Sequence, residues 1–233
     1  HHNFAFGKLG GRIGTWPGNS AASAGKGPGG GGARVLNNQK GGGGGYGSPG
    51  ENASGSFGKA YGSPSLAHLH GGSSGGGGEW MGGGAGGGAI SIEADGNGTL
   101  TILSGVTISA NGGANSQKNT NDRNGGGGSG GSLRFVGKSI INNGTISAVG
   151  GTGTKLPSGG GGRVSFSYSF NLTQGTVNVG SGSYAGTINE STKPIIVGNL
   201  TATALYTTNN YISYGAGMRA SVFTGVNGDT YLD

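Results

Sequence analysis

The sequence predicts an all-β fold: a repetitive β-solenoid or β-helix whose short strands alternate with polyglycine segments. Glycine supplies 62 of 233 residues, while apolar residues make up only 31% and charged residues 9%. Short stretches carry apolar residues at every second position, which is typical of strands with one buried face. Glycine runs precede these stretches, so a unit made of a glycine run and a strand recurs along the chain.

Residues 75–194 contain the repeats. Each has a glycine run, a short alternating strand, a turn and a second strand, and the second strands follow Gly105, Gly144 and Gly175. The apolar positions at period two are Ile90, Ile92, Leu100, Ile102, Val106, Ile108, Leu133, Phe135, Ile140, Ile146, Val164, Phe166, Tyr168, Val177 and Val179. Because each repeat can cover the apolar face of its neighbour, we expect them to stack.

Glycine runs lie before and within the repeats, at residues 29–32, 41–45, 75–78, 82–84, 86–88, 125–128 and 159–162. Ordering a glycine loses more backbone entropy than ordering any other residue, so an ordered run needs many lateral hydrogen bonds. Runs without side chains can approach closely as extended, threefold chains similar to polyproline II. We therefore expect a hydrogen-bonded bundle, with flexible linkers as the alternative.

The two ends of the chain differ from the repeats. Residues 1–74 form a glycine-rich N-terminal segment with fewer strand signals, in which residues 29–35 (GGGGARV) resemble residues 159–164 (GGGGRV). We interpret this segment as containing a degenerate repeat. Residues 195–233 hold less glycine and a stronger strand signal, which favours a capping or docking segment at the end of a solenoid.

Residues 144–151 read GTISAVGG, and residues 106–113 read VTISANGG. With the preceding glycine runs, these motifs resemble the glycine-rich repeats of extracellular and cell-surface proteins, which are similar to pectin-lyase-like right-handed parallel β-helices. The resemblance covers about residues 75 to 182 and implies a surface or matrix role more than one particular activity. The stretch from Asn115 to Asn124 departs from the compact repeat and is expected to form an exposed loop.

Composition excludes several classes of protein. The chain has no cysteine, so a disulfide framework or a thiolate metal site is impossible. Its net charge of +6 is scattered singly, which disfavours nucleic-acid binding. No stretch approaches 18 consecutive apolar residues, so no membrane span is expected.

Six N-x-[ST] sequons predict N-glycosylation of a secreted protein. They are Asn52, Asn97, Asn143, Asn171, Asn189 and Asn199. We therefore expect a glycoprotein that is extracellular or located at the cell surface.

Candidate chemical groups are few. Glu93 and Asp95 would share one face of a strand, with Arg134 of the next repeat nearby. They could form a catalytic pair, but we favour the interpretation that they lie at a solvent-exposed strand edge. His68 and His70 have the same spacing without a recognisable third metal ligand. We predict no catalytic, cofactor or metal site, and hence no enzyme.

Four aromatic residues lie beside glycines, and their rings could stack on sugars or cover bare glycine backbone; packing is favoured. They are Trp16, Tyr46, Tyr61 and Trp80.

We expect a secreted structural glycoprotein, a subunit of an extracellular filament, sheath or cell-surface appendage. It would self-associate into a homopolymer through open β edges and glycine bundles. An adhesin or glycan-binding surface module is the main alternative. An antifreeze-like protein and a polysaccharide-cleaving enzyme are further alternatives.

Overall fold

The computed structural model describes residues 22–35, 40–53, 56–78, 81–95, 98–115, 124–152, 157–180 and 185–192, and the backbones of five further short strands. Within these residues the chain forms strands, turns and extended segments, and no helix. The prediction of a strand-rich fold is confirmed for this part of the chain.

The strands are β1 (Asn3–Ala5), β2 (Ala89–Glu93), β3 (Thr99–Ile102), β4 (Thr107–Ser109), β5 (Ser132–Val136), β6 (Ser139–Asn142), β7 (Thr145–Ser147), β8 (Arg163–Tyr168), β9 (Asn171–Thr173), β10 (Thr176–Asn178), β11 (Thr187–Thr192), β12 (Leu205–Tyr206), β13 (Tyr211–Ile212), β14 (Val222–Thr224) and β15 (Thr230–Leu232). Strands β12 with β13 and β14 with β15 form separate antiparallel pairs.

Strands β2 to β10 form three repeats, and each repeat contributes one strand to each of three sheets. The first sheet has the order β1-β2-β5-β8-β11, the second β3-β6-β9 and the third β4-β7-β10. All strand pairs within these three sheets are parallel except β1 with β2, which is antiparallel. Parallel sheets in this register are consistent with a β-solenoid.

Each repeat has three strands, whereas the sequence pattern predicted two. The additional strands belong to the second sheet. Leu100 and Ile102 of β3 and Ile140 of β6 were among the predicted apolar positions, whereas β9, which spans only Asn171–Thr173, was missed. It lies between two turns and has a single apolar residue, Leu172. One apolar position cannot establish an alternating pattern, so the periodicity is too short to reveal this strand.

Apolar side chains form columns inside the repeats because paired residues in successive strands lie on the same face. In one column Ile92 pairs with Phe135 and Phe135 with Phe166. The two phenylalanine rings are stacked, with centroids 5.4 Å apart, and both are fully buried. Full burial of a side chain of this size contributes about 1.5–3 kcal/mol, so the columns hold successive repeats together.

Extended glycine-rich segments connect the repeats and form a second body, which we call the glycine bundle. The bundle has three layers. Its central layer comprises residues 72–78, 124–131 and 157–162. One outer layer comprises residues 82–88, 110–115 and 148–152, and the other comprises residues 25–32 and 41–50. Residues 25–32 and 41–50 of the predicted N-terminal segment thus belong to the same bundle as the glycine runs of the repeats; for example, Gly44 N–H donates to the Gly127 carbonyl at 2.9 Å.

Hydrogen bonds within the bundle repeat every third residue. The N–H groups of Gly126, Gly127 and Gly128 donate to three different neighbouring segments, and those of the next three residues donate to the same segments in the same order. The acceptors are, in sequence, Gly76 (2.9 Å), Pro157 (2.8 Å), Gly113 (3.0 Å), Ser73 (2.9 Å), Gly160 (2.9 Å) and Ala110 (2.8 Å). The lateral hydrogen bonds that the glycine runs predicted are therefore present.

Close backbone approach explains why these positions are glycine. A Cβ atom added to Gly126 would overlap the carbonyl oxygen of Gly42, and one added to Gly128 would overlap that of Ala85. Backbone atoms in a packed layer cannot move away without breaking their own hydrogen bonds. Side chains are thus excluded at these two positions of the central layer by geometry.

Gly128→Ala is expected to lower the free energy of unfolding by about 3 kcal/mol because its Cβ atom would force the central layer apart. Gly113→Ala is the matched control, since its added Cβ atom would lie 3.1 Å from its nearest neighbour, Ala85 N. We expect the control to change the free energy of unfolding by less than about 1 kcal/mol. Denaturant unfolding of both variants measures the difference, and equal losses would contradict the packing described.

Candidate functional site: a tyrosine–arginine cluster on the first sheet

A cluster of polar and aromatic side chains lies where Tyr46 and residues 61–70 cross the outward face of the first sheet. Ser132 Oγ donates to the His70 carbonyl at 2.6 Å, and Ser165 Oγ donates to the Ser65 carbonyl at 3.3 Å. Both serines point away from the core, yet both are buried. The N-terminal segment therefore covers this side of the sheet.

Arg163, the first residue of β8, is the charged centre of this cluster and is only 5% exposed. Its Nη2 donates to the Tyr61 carbonyl at 2.9 Å and to the Tyr46 carbonyl at 3.4 Å. Its Nη1 donates to Thr187 Oγ1 at 2.9 Å in the next strand. The guanidinium also lies 5.3 Å from the centre of the Tyr46 ring, within the range of a cation–π interaction.

Two tyrosines complete the cluster. Tyr46, which directly follows a glycine run, is fully buried, and its hydroxyl is 2.6 Å from Ser132 Oγ. The Tyr61 ring packs against it with centroids 4.8 Å apart. The Tyr61 hydroxyl donates to the Gly71 carbonyl at 2.7 Å and accepts from Ser73 Oγ at 3.0 Å. Because Ser73 belongs to the central glycine layer, the cluster joins the sheet, the N-terminal segment and the bundle.

Burial changes the ionisation of these groups. Desolvation raises the pKa of Tyr46 and of Tyr61, and it lowers the pKa of Arg163, against the opposing influence of the two phenols. The folded protein therefore favours the neutral phenols. Their contribution to stability is present below the ordinary tyrosine pKa of about 10 and is lost as the pH rises through the higher folded values.

The polar groups of this cluster hold neighbouring segments of the chain in fixed positions. Its hydroxyls and most of its guanidinium donors are engaged with carbonyls and hydroxyls of the chain itself. The buried Arg163 Nε has no hydrogen-bond partner among the described residues. A guanidinium between two carbonyls and an aromatic ring positions backbone, and it offers no nucleophile or general base.

The acidic pair singled out from the sequence lies at the carboxyl end of β2 and in the turn that follows it. Glu93 forms an ion pair with Arg134 of the next repeat, and both side chains are partly exposed. The Asp95 carbonyl instead accepts from Gly98 N at 2.6 Å in the following turn. The predicted proximity of Glu93 and Arg134 is thus present, with the carboxylate neutralised by the guanidinium.

The two histidines are exposed, and the His70 ring lies edge-on to Tyr61 with centroids 6.2 Å apart. Among the residues that the structure describes, no group of three or more His, Asp or Glu side chains could hold a metal ion. Tyr46 and Tyr61 pack within the cluster, whereas Trp16 and Trp80 lie outside the described residues.

The six sequons have different environments. Asn52, Asn143 and Asn171 are exposed. Asn189 is partly buried, and its Nδ2 donates to Ser165 Oγ at 3.3 Å. Asn97 and Asn199 lie outside the described residues.

Sequence reasoning missed Arg163, Ser132 and Ser73, the residues that tie the cluster together. One signal was available: Arg163 follows a run of four glycines and starts an alternating strand, at a position that would face outward. An arginine at such a position normally remains in solvent. Its burial depends on a segment about 100 residues earlier, since the partner carbonyls belong to Tyr46 and Tyr61.

No family model, curated protein or solved structure matches the chain. The resemblance of the repeats to pectin-lyase-like β-helices therefore stays a prediction. No helix among the described residues is long and apolar enough to cross a membrane.

Arg163→Met is expected to lower the free energy of unfolding by about 2 kcal/mol, because it removes the Arg163 donor from the Tyr61 carbonyl and leaves the Tyr46 carbonyl with only the Tyr61 N–H as a donor. Loosening of the N-terminal segment should also speed tryptic cleavage after the exposed Lys59. Arg134→Met in the preceding strand is the control; its ion pair is partly exposed and should contribute less than about 1 kcal/mol. Similar losses from both variants would show that Arg163 does not hold the segment.

Proposed function

We propose that the protein is a secreted structural protein that serves as a rigid unit of an extracellular filament, sheath or cell-surface appendage. In this proposal the three repeats form a β-solenoid and the glycine segments are extended threefold chains similar to polyproline II. The supporting observation is the central glycine layer, where residues 126–131 each donate a lateral backbone hydrogen bond. Such a layer resists bending in every lateral direction because it is bonded to neighbours on several sides.

The distribution of reactive groups agrees with a structural role. Catalysis of polysaccharide cleavage requires converging carboxylates or a basic residue beside a cation site. In the described residues Glu93 is paired with Arg134, and Glu51 Oε2 accepts from Ser158 N at 2.8 Å. These carboxylates thus hold parts of the chain together, and the absence of enzymatic activity stays a prediction.

Secretion is supported by the position of the exposed sequons. Asn143 lies in the turn between β6 and β7, and Asn171 begins β9. A glycan at either site would extend into solvent without displacing core side chains. Asn189 is less suitable because its side-chain nitrogen already donates to Ser165.

A surface-binding module, either an adhesin or a glycan-binding domain, is the second candidate. Phe170, in the turn between β8 and β9, is 73% exposed, and Phe57 is 42% exposed. Exposed aromatic rings can stack on sugar rings. Phe170→Ala should then weaken binding to a glycan surface while leaving any self-association unchanged.

Electron microscopy and sedimentation velocity of the full chain test the structural role. The proposal expects concentration-dependent assembly into filaments or sheets, because a building unit must contact further copies. A discrete monomer at every concentration would overturn it. Glycan-array binding that Phe170→Ala abolishes would then favour the second candidate.

A further inference from the structure

The last strand of the first sheet differs from the strands stacked before it. Its residue Glu190 pairs with Phe166, which pairs with Phe135, which in turn pairs with Ile92. A carboxylate thus follows three large apolar side chains in one column. Because directly paired residues lie on the same side of a sheet, Glu190 occupies the core-facing side of β11.

The surroundings of Glu190 show that this side of β11 is open to solvent. Glu190 is exposed, and its Oε1 accepts from Gln174 Nε2 at 3.2 Å. Ile188, two residues earlier on the same side, is 44% exposed, whereas its column neighbours Leu133 and Val164 are fully buried. An apolar residue is therefore exposed at the end of the column beside a charge.

Among the described residues β11 pairs only with β8, so its outer edge has no strand partner there. Unpaired backbone groups at a sheet edge are a template for another strand. At the opposite edge of the same sheet, the antiparallel strand β1 pairs with β2. Two copies of β11 related by a twofold axis would pair in the same antiparallel sense.

We propose that Glu190 prevents the outer edge of β11 from pairing with the β11 of a second copy of this chain. Such pairing would extend the apolar surface around Ile188 and would bring two Glu190 carboxylates onto one partly desolvated face. Burial of an unpaired carboxylate is strongly unfavourable. Inward-facing charges on edge strands are a known means of preventing this kind of association. The inference does not rest on the proposed structural role.

Sedimentation velocity of the full chain over a wide concentration range tests whether Glu190 prevents association through β11. Glu190→Val, which gives the column a fourth apolar residue, is expected to lower the dimer dissociation constant at least about tenfold relative to the unsubstituted chain. Ser191→Val is the matched control, because Ser191 pairs with Ser167 on the opposite side of the strand. This control should sediment like the unsubstituted chain.

The double variant Ile188→Lys with Glu190→Val restores a charge on the same side and is expected to abolish the added association. Circular dichroism confirms that each variant keeps its strands. Association of Glu190→Val equal to that of the unsubstituted chain, or undiminished association of the double variant, would overturn the proposal. Assembly of the unsubstituted chain bears on the proposed structural role, whereas the difference between the variants bears only on Glu190.

Discussion

Lateral hydrogen bonds between glycine backbones are the constraint on which the rest of the structure depends. The segment 124–131 contacts neighbours on both sides within its own layer and in the layers above and below it. At Gly126 and Gly128 this approach requires glycine, because an added Cβ atom would overlap a carbonyl oxygen of a neighbouring segment. The entropy lost by ordering so many glycines is offset because their polar groups are paired within the bundle.

The bundle also positions the three sheets. The segment 82–88 leads directly into β2, and the segment 124–131 leads directly into β5. Hydrogen bonds between these segments, such as Gly87 N–H to the Ser129 carbonyl at 2.8 Å, align the starts of the two strands. The alignment of segment 82–88 with segment 124–131 thus continues into the strands, where Ile92 pairs with Phe135. The apolar columns and the glycine bundle therefore stabilise each other.

Several features could be predicted from the sequence because they depend on local pattern. The alternation around Phe135 and Phe166 identified core-facing residues, and the glycine runs indicated close lateral packing. Strand β9 of the second sheet could not be predicted, because three residues with a single apolar side chain have no periodicity. The hydrogen bonds of Arg163 and the edge position of Glu190 depend on contacts between distant residues, which a local sequence pattern does not contain.

Residue-resolved amide hydrogen exchange of the native chain tests whether the glycine bundle persists in solution. The N–H groups of residues 126–131 are expected to exchange as slowly as those of β5, because both sets are buried and bonded. Rapid exchange of residues 126–131 beside protected strands would show that the bundle does not persist in solution, and the rigid scaffold would have no physical basis.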